Sequence, residues 1–216
     1  MGDTEIRHLL FSRLLGRFVG YQERHGGTEY RRELLNGARG CVLEIGPGEG
    51  PNFPHFPAAV TGVVAVEPEP HLRELARRAA RAAPVPIEVV AGRVEELPFT
   101  EGEFDVVVVA SVLCTVSDPV RALSEIRRVL KPGGELRFWE HVAAAGGFLR
   151  RHQRAIDLVW PLFTGGCHTC RDTEATIEQA GFRIERCRRF KFQPSLLVHV
   201  ISPQILGVAR APEPGA

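Results

Sequence analysis

One stretch decides the fold: Val42-Leu43-Glu44-Ile45-Gly46-Pro47-Gly48-Glu49-Gly50, followed by a second apolar run that ends at Glu67. It predicts a strand that ends in a glycine turn and continues into a helix, with a carboxylate at the end of the next strand. A side chain at Gly46 or Gly48 would hold a ligand away from the backbone, and such turns often need positive φ. Glu67 is placed to accept hydrogen bonds from both hydroxyls of a ribose. The pattern therefore predicts a site for a nucleoside-bearing cofactor.

The spacing of the glycines distinguishes between nucleoside cofactors. A dinucleotide fold requires G-x-G-x-x-G, but Pro51 stands where the third glycine belongs. Glu44 adds a carboxylate that would repel a pyrophosphate and attract a cation. S-adenosylmethionine carries a sulfonium and an ammonium group, so it suits this field better than NAD does. A dehydrogenase is the alternative that measured NAD binding would support.

Apolar runs alternate with amphipathic helical patterns along the chain. Such alternation predicts a parallel sheet covered by helices on both faces. Two closing strands are expected to pair antiparallel. The predicted strands are residues 41–45, 63–66, 87–91, 104–110, 135–139, 182–190 and 199–209.

The length and the 44% hydrophobic content fit one domain, residues 1–216. We expect two N-terminal helices at 1–36, with apolar positions from Ile6 to Phe18 and a break at Gly26-Gly27, that either cap the site or only pack against the core. The core is expected at 37–209 and a flexible tail at 210–216. Helices are predicted over 70–82, after an N-cap at Asp118 and after an N-cap at Asp172.

The charge balance excludes several partners. With 27 basic and 26 acidic side chains, the net charge of +1 gives no global field to recruit nucleic acid or an anionic membrane. No apolar run reaches the length needed to span a bilayer, and the first residues lack the features of a signal peptide. We expect a cytoplasmic protein whose partners are small molecules.

Several motifs together indicate a family. The first has the E-x-G-x-G form at residues 44–48, and by it the chain resembles the class I S-adenosylmethionine-dependent methyltransferases. Within that superfamily it is most similar to the methyltransferase-like 7 group, for which thiol S-methylation is described and whose N-terminal membrane anchor we do not carry over. The resemblance covers residues 36 to 209 and rests on Gly48-x-Gly50-x-Asn52-Phe53, Val112-Leu113-Cys114, Arg128-Val129-Leu130-Lys131-Pro132-Gly133-Gly134, Glu140-His141-Val142-Ala143 and Gly166-Cys167.

The resemblance implies a Rossmann-like, doubly wound, seven-stranded sheet that is mostly parallel and has an antiparallel last strand. It also implies that the strand ends bind the cofactor, with the glycine turn at the methionine part, Glu67 at the ribose and the Arg93-Val94 backbone at the adenine. Related enzymes commonly place an aspartate where Arg93 stands, so main-chain groups or Glu95 must recognise the adenine here. The predicted cofactor-binding residues are Glu44, Gly46, Pro47, Gly48, Asn52, Glu67, Pro68, Arg93, Val94, Glu95 and Ser111.

A neutral acceptor must lose a proton when it is methylated. A thiol with a pKa of about 8.5 needs modest help to lose its proton, whereas an alcohol needs a firm general base. His141, at a predicted strand end, is the candidate base; the alternative is a histidine that only hydrogen-bonds a loop carbonyl. Asp157 and His168 are weaker candidates. The predicted acceptor-binding residues are Cys114, His141, Trp160 and Cys167.

The segment 148–163 has one apolar and one basic side. It is either a lid that lines a lipophilic acceptor pocket or an ordinary covering helix.

The five cysteines are scattered in a way that suits a reducing compartment. Cys167 and Cys170 have a spacing that two zinc ligands can share, but a closed zinc site needs four ligands. Because only Cys187 and isolated histidines remain to complete the set, we expect no metal. The cysteines are then small, buried apolar residues.

The sequence thus predicts an S-adenosylmethionine-dependent methyltransferase acting on a small lipophilic acceptor, with S-adenosylhomocysteine as product. The resemblance favours a thiol or a similar soft nucleophile as the acceptor. One alternative is O- or N-methylation of a natural product or a lipid amine. Another is a module that binds the cofactor and transfers nothing.

Overall fold

A computed structural model describes residues 19–213 of the chain. Runs of β-branched residues form its strands. The strands are β1 (Gly40–Ile45), β2 (Val60–Val66), β3 (Ile87–Val90), β4 (Phe104–Ala110), β5 (Leu130–His141), β6 (Arg183–Lys191) and β7 (Pro203–Arg210). The α-helices in this range are α1 (Thr28–Leu35), α2 (Pro70–Ala80), α3 (Pro119–Val129), α4 (Gly147–Ile156), α5 (Trp160–Phe163) and α6 (Thr173–Gln179).

The strands form one mixed sheet in the order β3-β2-β1-β4-β5-β7-β6. Strands β1 to β5 pair in parallel, and β7 runs antiparallel to both β5 and β6. The predicted seven-stranded α/β fold with an antiparallel last strand is confirmed. The strand order reverses between β1 and β4, so their carboxyl ends open the crevice in which such folds bind ligands.

The sheet separates two hydrophobic layers. Alternate residues of β4 point to opposite faces, so Val107 and Val109 pack with α3 and α6 while Val106 and Val108 pack with α1 and α2. The central strands are therefore buried on both faces, as their continuous apolar sequence requires.

Two predicted helix starts are confirmed by their caps. The Asp118 carboxylate accepts the Arg121 N–H at 2.9 Å, and the Asp172 carboxylate accepts the Ala175 N–H at 3.3 Å. Gly181 ends the α6 segment with φ +88°. These short polar side chains satisfy N–H groups that have no partner inside the helix.

The last strand differs from the prediction at its start. Residues 199–201 do not extend it but belong to the 3₁₀ segment Leu196–Ile201. Ser202 donates both its N–H and its hydroxyl to the His199 carbonyl, at 3.2 and 2.7 Å, and this closes a turn before Pro203. Periodicity alone did not reveal the turn.

The segment 148–163 also differs, because it forms the two helices α4 and α5. Asp157 follows α4, and its carboxylate accepts hydrogen bonds from the Thr169 N–H and the Thr169 hydroxyl. Gln153 fixes α4 to the segments that follow β5 and precede β7, since its amide donates to the Val142 and Val200 carbonyls at 3.2 and 2.8 Å. The covering segment is thus held by polar contacts to distant loops.

The chain before α1 turns sharply at Gly26, where φ is +102°. The break predicted at the paired glycines is therefore present, whereas the first predicted helix, with its apolar positions from Ile6 to Phe18, lies outside the described residues. At the other end, Arg210 belongs to β7 and the Ala211 N–H bonds to the Gly134 carbonyl at 2.9 Å. Within residues 19–213, no helix is both long and apolar enough to cross a bilayer.

Candidate active site

A cavity of about 850 Å³ opens at the carboxyl ends of the parallel strands. Among the residues predicted to bind the cofactor or the acceptor, Cys114 alone does not line it. Gln22 and Arg31 from the N-terminal segment also line it. Predicted residues from distant parts of the chain therefore meet in one place: Glu44, Gly46, Pro47, Gly48, Asn52, Glu67, Pro68, Arg93, Val94, Glu95, Ser111, His141, Trp160 and Cys167.

The glycine turn after β1 has the backbone that the sequence predicted. Gly46 and Gly48 have φ of +62° and +60°. A Cβ atom on Gly46 would lie 2.9 Å from Val112 Cγ2, closer than such contacts occur. The turn is therefore open to a ligand on one side and closed by the Val112 side chain on the other.

A chain of buried polar groups begins at Glu44. Asn52 Nδ2 donates to Glu44 Oε1 at 2.8 Å, and Arg31 Nη1 donates to Asn52 Oδ1 at 2.9 Å. Arg31 also pairs with Glu23 at 2.6 Å. Glu44 Oε2 is buried without a hydrogen-bond partner among the described residues. Burial raises the pKa of Glu44 to about 7, against the opposing hydrogen bond from Asn52.

Glu67 is bound to the glycine turn. Its two carboxylate oxygens accept the Gly48 and Glu69 N–H groups, each at 3.0 Å. Burial raises the pKa of Glu67 to about 7, although both hydrogen bonds favour the ionised form. The carboxylate and the turn thus form one rigid unit that faces the cavity.

The third strand end carries an ion pair where the adenine contact is predicted. Arg93 Nε lies 3.6 Å from Glu95 Oε2, and the Ser117 hydroxyl donates to Glu95 Oε1 at 2.9 Å. The Arg93 side chain therefore points toward Glu95 of the same loop. Val94, which lies between these two residues in the sequence, is buried.

The loop after β4 is held by a buried carboxylate. Glu140 Oε1 accepts the Val112 and Leu113 N–H groups at 2.9 and 3.1 Å, and Oε2 accepts the Cys114 N–H at 3.1 Å. Ser111, which begins the loop, is the one non-glycine residue in the described chain with positive φ, at 60°. The motif Glu140-His141-Val142-Ala143 does not by itself predict this role for Glu140.

Three side chains from different segments meet beneath the cavity wall. His141 Nδ1 lies 3.5 Å from Cys167 Sγ and 3.7 Å from Cys114 Sγ, and the two sulfur atoms are 3.7 Å apart. Contact with Cys167 and burial hold the pKa of Cys114 well above its usual value. Burial disfavours the charged His141, but Cys114 and Glu140 outweigh it and the pKa of His141 is raised. The structure thus places Cys114 behind the cavity wall, in contact with two wall residues.

The far side of the cavity is apolar. Trp160 and Phe163 line it from the α5 helix, and Trp160 Nε1 is a buried donor without a partner among the described residues. His168 Nδ1 lies 3.0 Å from Asp157 Oδ2, so the two weaker base candidates pair with each other. His168 lines the cavity and Asp157 does not.

Three further residues of the cavity wall do not follow from the sequence patterns. Arg31 lies with its guanidinium carbon 5.2 Å from the Trp139 ring centroid, and Trp139 Nε1 donates to Gln204 Oε1 at 2.5 Å. All three line the cavity. The available signal was the position of Trp139 at the end of a predicted strand; nothing local marked Arg31 or Gln204.

The strand ends fit S-adenosylmethionine. The unpartnered Glu44 Oε2 offers an acceptor for an ammonium group, and Glu67 offers carboxylate oxygens beside an open glycine turn. Carboxylates placed in this way attract a cationic ligand and disfavour a pyrophosphate. The donor set therefore suits the cofactor that the sequence predicted.

Comparisons with known proteins agree with this geometry. A family model described as a methyltransferase domain matches residues 43–138. Human thiol S-methyltransferase TMT1B is 37% identical over 81% of this chain and 73% of its own length, and human TMT1A is 33% identical over 78% and 69%. The N-methyltransferase NodS from Bradyrhizobium japonicum superposes with a TM-score of 0.63 at 22% identity, over 88% of this chain and 96% of its own. The chain belongs to the class I S-adenosylmethionine-dependent methyltransferases, close to the thiol S-methyltransferase TMT1 group.

Proposed function

We propose that the enzyme methylates the sulfur of a small, lipophilic thiol. One observation carries the proposal: a single cavity joins the cofactor-binding strand ends to an apolar wall at Trp160 and Phe163, with His141 and Cys167 beside it. A mostly apolar pocket with a few convergent polar groups is typical of a small-molecule site. The names of the TMT1 relatives give independent support for a thiol.

The cofactor roles follow from charge and hydrogen bonding. Glu44 Oε2 would accept the ammonium group, and Glu67 would accept the ribose hydroxyls while the Gly48 and Glu69 N–H groups hold it still. The ion pair of Arg93 with Glu95 leaves the Val94 backbone to face the adenine. When bound, S-adenosylmethionine supplies a methyl group that its sulfonium has already activated.

The remaining work of the chain is to position the acceptor and remove its proton. Holding two reactants in line supplies much of the rate in such a displacement. Trp160 and Phe163 would give a lipophilic acceptor an apolar surface to contact. His141 lies in the wall with Nδ1 directed at two sulfur atoms, where an acceptor sulfur would also be stabilised. A thiol needs only this modest assistance, since its pKa is about 8.5.

The test compares matched acceptors. Hexanethiol, hexanol and hexylamine are offered with S-adenosylmethionine, and the methylated products and S-adenosylhomocysteine are quantified by mass spectrometry. We expect methyl hexyl sulfide in equal amount to S-adenosylhomocysteine, with slower turnover of the other two. Faster methylation of the alcohol or the amine would assign the enzyme to oxygen or nitrogen acceptors. Tight cofactor binding without turnover of any of them would favour a binding module.

A further inference from the structure

Cys114, His141 and Cys167 form a cluster that the cofactor does not require. They come from the loop after β4, the end of β5 and the loop after α5, and all three are buried. Their donor atoms lie within 4.8 Å of one another. Two thiols and an imidazole are the ligands that zinc prefers among protein side chains.

The distances within the cluster match tetrahedral coordination. Zinc binds sulfur at about 2.3 Å and nitrogen at about 2.0–2.1 Å, which at tetrahedral angles separates two sulfur ligands by about 3.8 Å and sulfur from nitrogen by about 3.5 Å. The observed separation is 3.7 Å between the sulfur atoms of Cys114 and Cys167. Those from His141 Nδ1 are 3.7 and 3.5 Å. One ion placed between the three atoms would reach each at a normal bond length.

The cluster supplies three ligands and leaves the fourth position free. Within residues 19–213, no further His, Cys, Asp or Glu joins this group. His141 and Cys167 line the cavity. Three protein ligands with an open position toward a substrate cavity are the arrangement of catalytic zinc sites, whereas structural sites are closed by four.

The backbone around the cluster is fixed by contacts outside it. Glu140 holds the Cys114 N–H, and the Cys114 carbonyl accepts the His168 N–H at 2.7 Å. Gly166 has φ +95°, and a Cβ there would lie 3.0 Å from the Thr115 carbonyl oxygen. The loop carrying Cys167 can therefore approach Cys114 this closely only with glycine before it. Such outer contacts orient ligands before a metal arrives.

We propose that Cys114, His141 and Cys167 bind one Zn²⁺ whose fourth position takes the sulfur of the acceptor, an inference that rests on the proposed thiol methylation. The two cysteine thiolates neutralise the divalent ion. The acceptor thiol gives its proton to water as its sulfur binds, and it stays on the metal as a thiolate. The sulfur's electron pair then forms the bond to the methyl carbon while the methyl–sulfonium bond breaks and leaves its pair on the departing sulfur. The thioether, a weaker ligand, is replaced by water.

The proposed ligands differ from the pair that the sequence spacing suggests, Cys167 and Cys170, for which the sequence offers no complete set of four ligands. In the structure Cys170 is outside the cluster, with its sulfur 3.8 Å from the Thr169 hydroxyl. The second cysteine of the cluster is instead Cys114, which lies 53 residues before Cys167 in the sequence.

Cobalt titration tests the site without relying on turnover. The reduced protein, stripped of metal with a chelator, is titrated anaerobically with Co²⁺ and followed in the visible and near-ultraviolet. We expect one equivalent to give intense tetrahedral d–d bands and a thiolate-to-cobalt charge-transfer band, which Zn²⁺ then displaces. Addition of hexanethiol shifts these bands, and hexanol leaves them unchanged. Weak octahedral absorption, or no stoichiometric binding, would overturn the proposal.

Variants locate the site. Cys114→Ser and Cys167→Ser are expected to lose stoichiometric Co²⁺ binding, and Cys170→Ser is the matched control that keeps it. His141→Cys replaces the imidazole with a third thiolate ligand, so we expect it to keep the bound metal. Thermal unfolding of each variant shows whether it folds, and the wild-type titration stands independently of them. Equal Co²⁺ binding by Cys114→Ser and the wild type would contradict the assignment.

The two proposals fail in different ways. If hexanethiol is methylated at an unchanged rate by protein freed of metal, the zinc assignment is wrong and the thiol assignment stands. If the cluster binds Co²⁺ but hexanethiol neither shifts its spectrum nor is methylated, thiol methylation is wrong and the metal centre must bind another ligand.

Discussion

Glu140 Oε2 accepts the backbone N–H of Cys114 at 3.1 Å, although 26 residues separate them along the chain. The other oxygen of the same carboxylate accepts the N–H groups of Val112 and Leu113. An ionised carboxylate has only acceptor atoms, so it can satisfy three N–H donors without presenting a donor to them. One buried side chain thus sets the backbone that carries Ser111 on one side and Cys114 on the other.

Glu140→Gln tests this arrangement. The amide keeps the shape but directs an N–H₂ group at backbone donors, so we expect a loss of about 2–3 kcal/mol in the free energy of unfolding. Urea denaturation measures it. The exposed Glu88→Gln is the control and should change stability by less than about 0.5 kcal/mol. Equal stability of both variants would show that the three hydrogen bonds are dispensable.

The binding of S-adenosylmethionine should strengthen as pH rises. Burial raises the pKa of Glu44 and Glu67 to about 7, so both are largely protonated at pH 5.5–6 in the free enzyme. A cationic ligand needs them ionised, and its own α-amino group keeps its proton below a pKa of about 7.7. Calorimetric titrations between pH about 5.5 and 7.5 should show rising affinity. Glu44→Gln should weaken binding and flatten the profile, and an unchanged pH dependence would remove Glu44 from the site.

The same two carboxyl groups should make the folded protein less stable as pH rises. Their pKa values are raised in the folded state, so the folded chain holds protons that the unfolded chain has released between pH about 4.5 and 7. The free energy of unfolding without ligand should therefore fall across this window, by at most about 3 kcal/mol per group. Chemical denaturation across the window measures the fall. Glu44→Gln should reduce the slope, and an unchanged slope would assign it to other groups.

Gly46→Ala should weaken cofactor binding. The added Cβ meets Val112 Cγ2 at 2.9 Å and the backbone keeps a φ of +62°, so the turn must shift. Gly62→Ala is the matched control, because nothing lies within 4 Å of its Cβ and its φ is ordinary. Affinity for S-adenosylhomocysteine, measured by calorimetry, should fall for the first variant and stay constant for the second.

Trp160→Phe removes a buried donor while keeping an aromatic ring. Trp160 Nε1 has no partner among the described residues, so its loss costs the free protein no hydrogen bond. We expect unchanged or slightly higher thermal stability together with a higher KM for the acceptor. A lower melting temperature with an unchanged KM would assign Trp160 to packing alone.

The parts of the fold that follow local rules were predictable from sequence. The glycine turn at Gly46, the cap at Asp118 and the alternation of apolar runs each depend on neighbouring residues. The break between α4 and α5 was not predictable, because the Asp157 carboxylate bonds to Thr169, twelve residues further on. Periodicity carries no information about such a partner.

The site shows the same division. The strand-end residues were predictable because parallel strands bring their carboxyl ends to one edge. The contact of Cys114 with Cys167 was not, because it depends on the His168 N–H reaching the Cys114 carbonyl and on the conformation of Gly166. Sequence spacing favoured Cys170 instead, which the tertiary structure separates from the cluster.

The loop of residues 111–114 has a consequence for engineering the acceptor range. It closes the glycine turn through Val112 and carries Cys114 at its other end, so we expect a change there to alter cofactor affinity and acceptor chemistry together. The wall at Trp160 and Phe163 lies on a separate short helix, and Phe163 is 77% exposed. Libraries that vary the wall and leave the loop intact should therefore yield altered acceptor selectivity with the donor site undamaged.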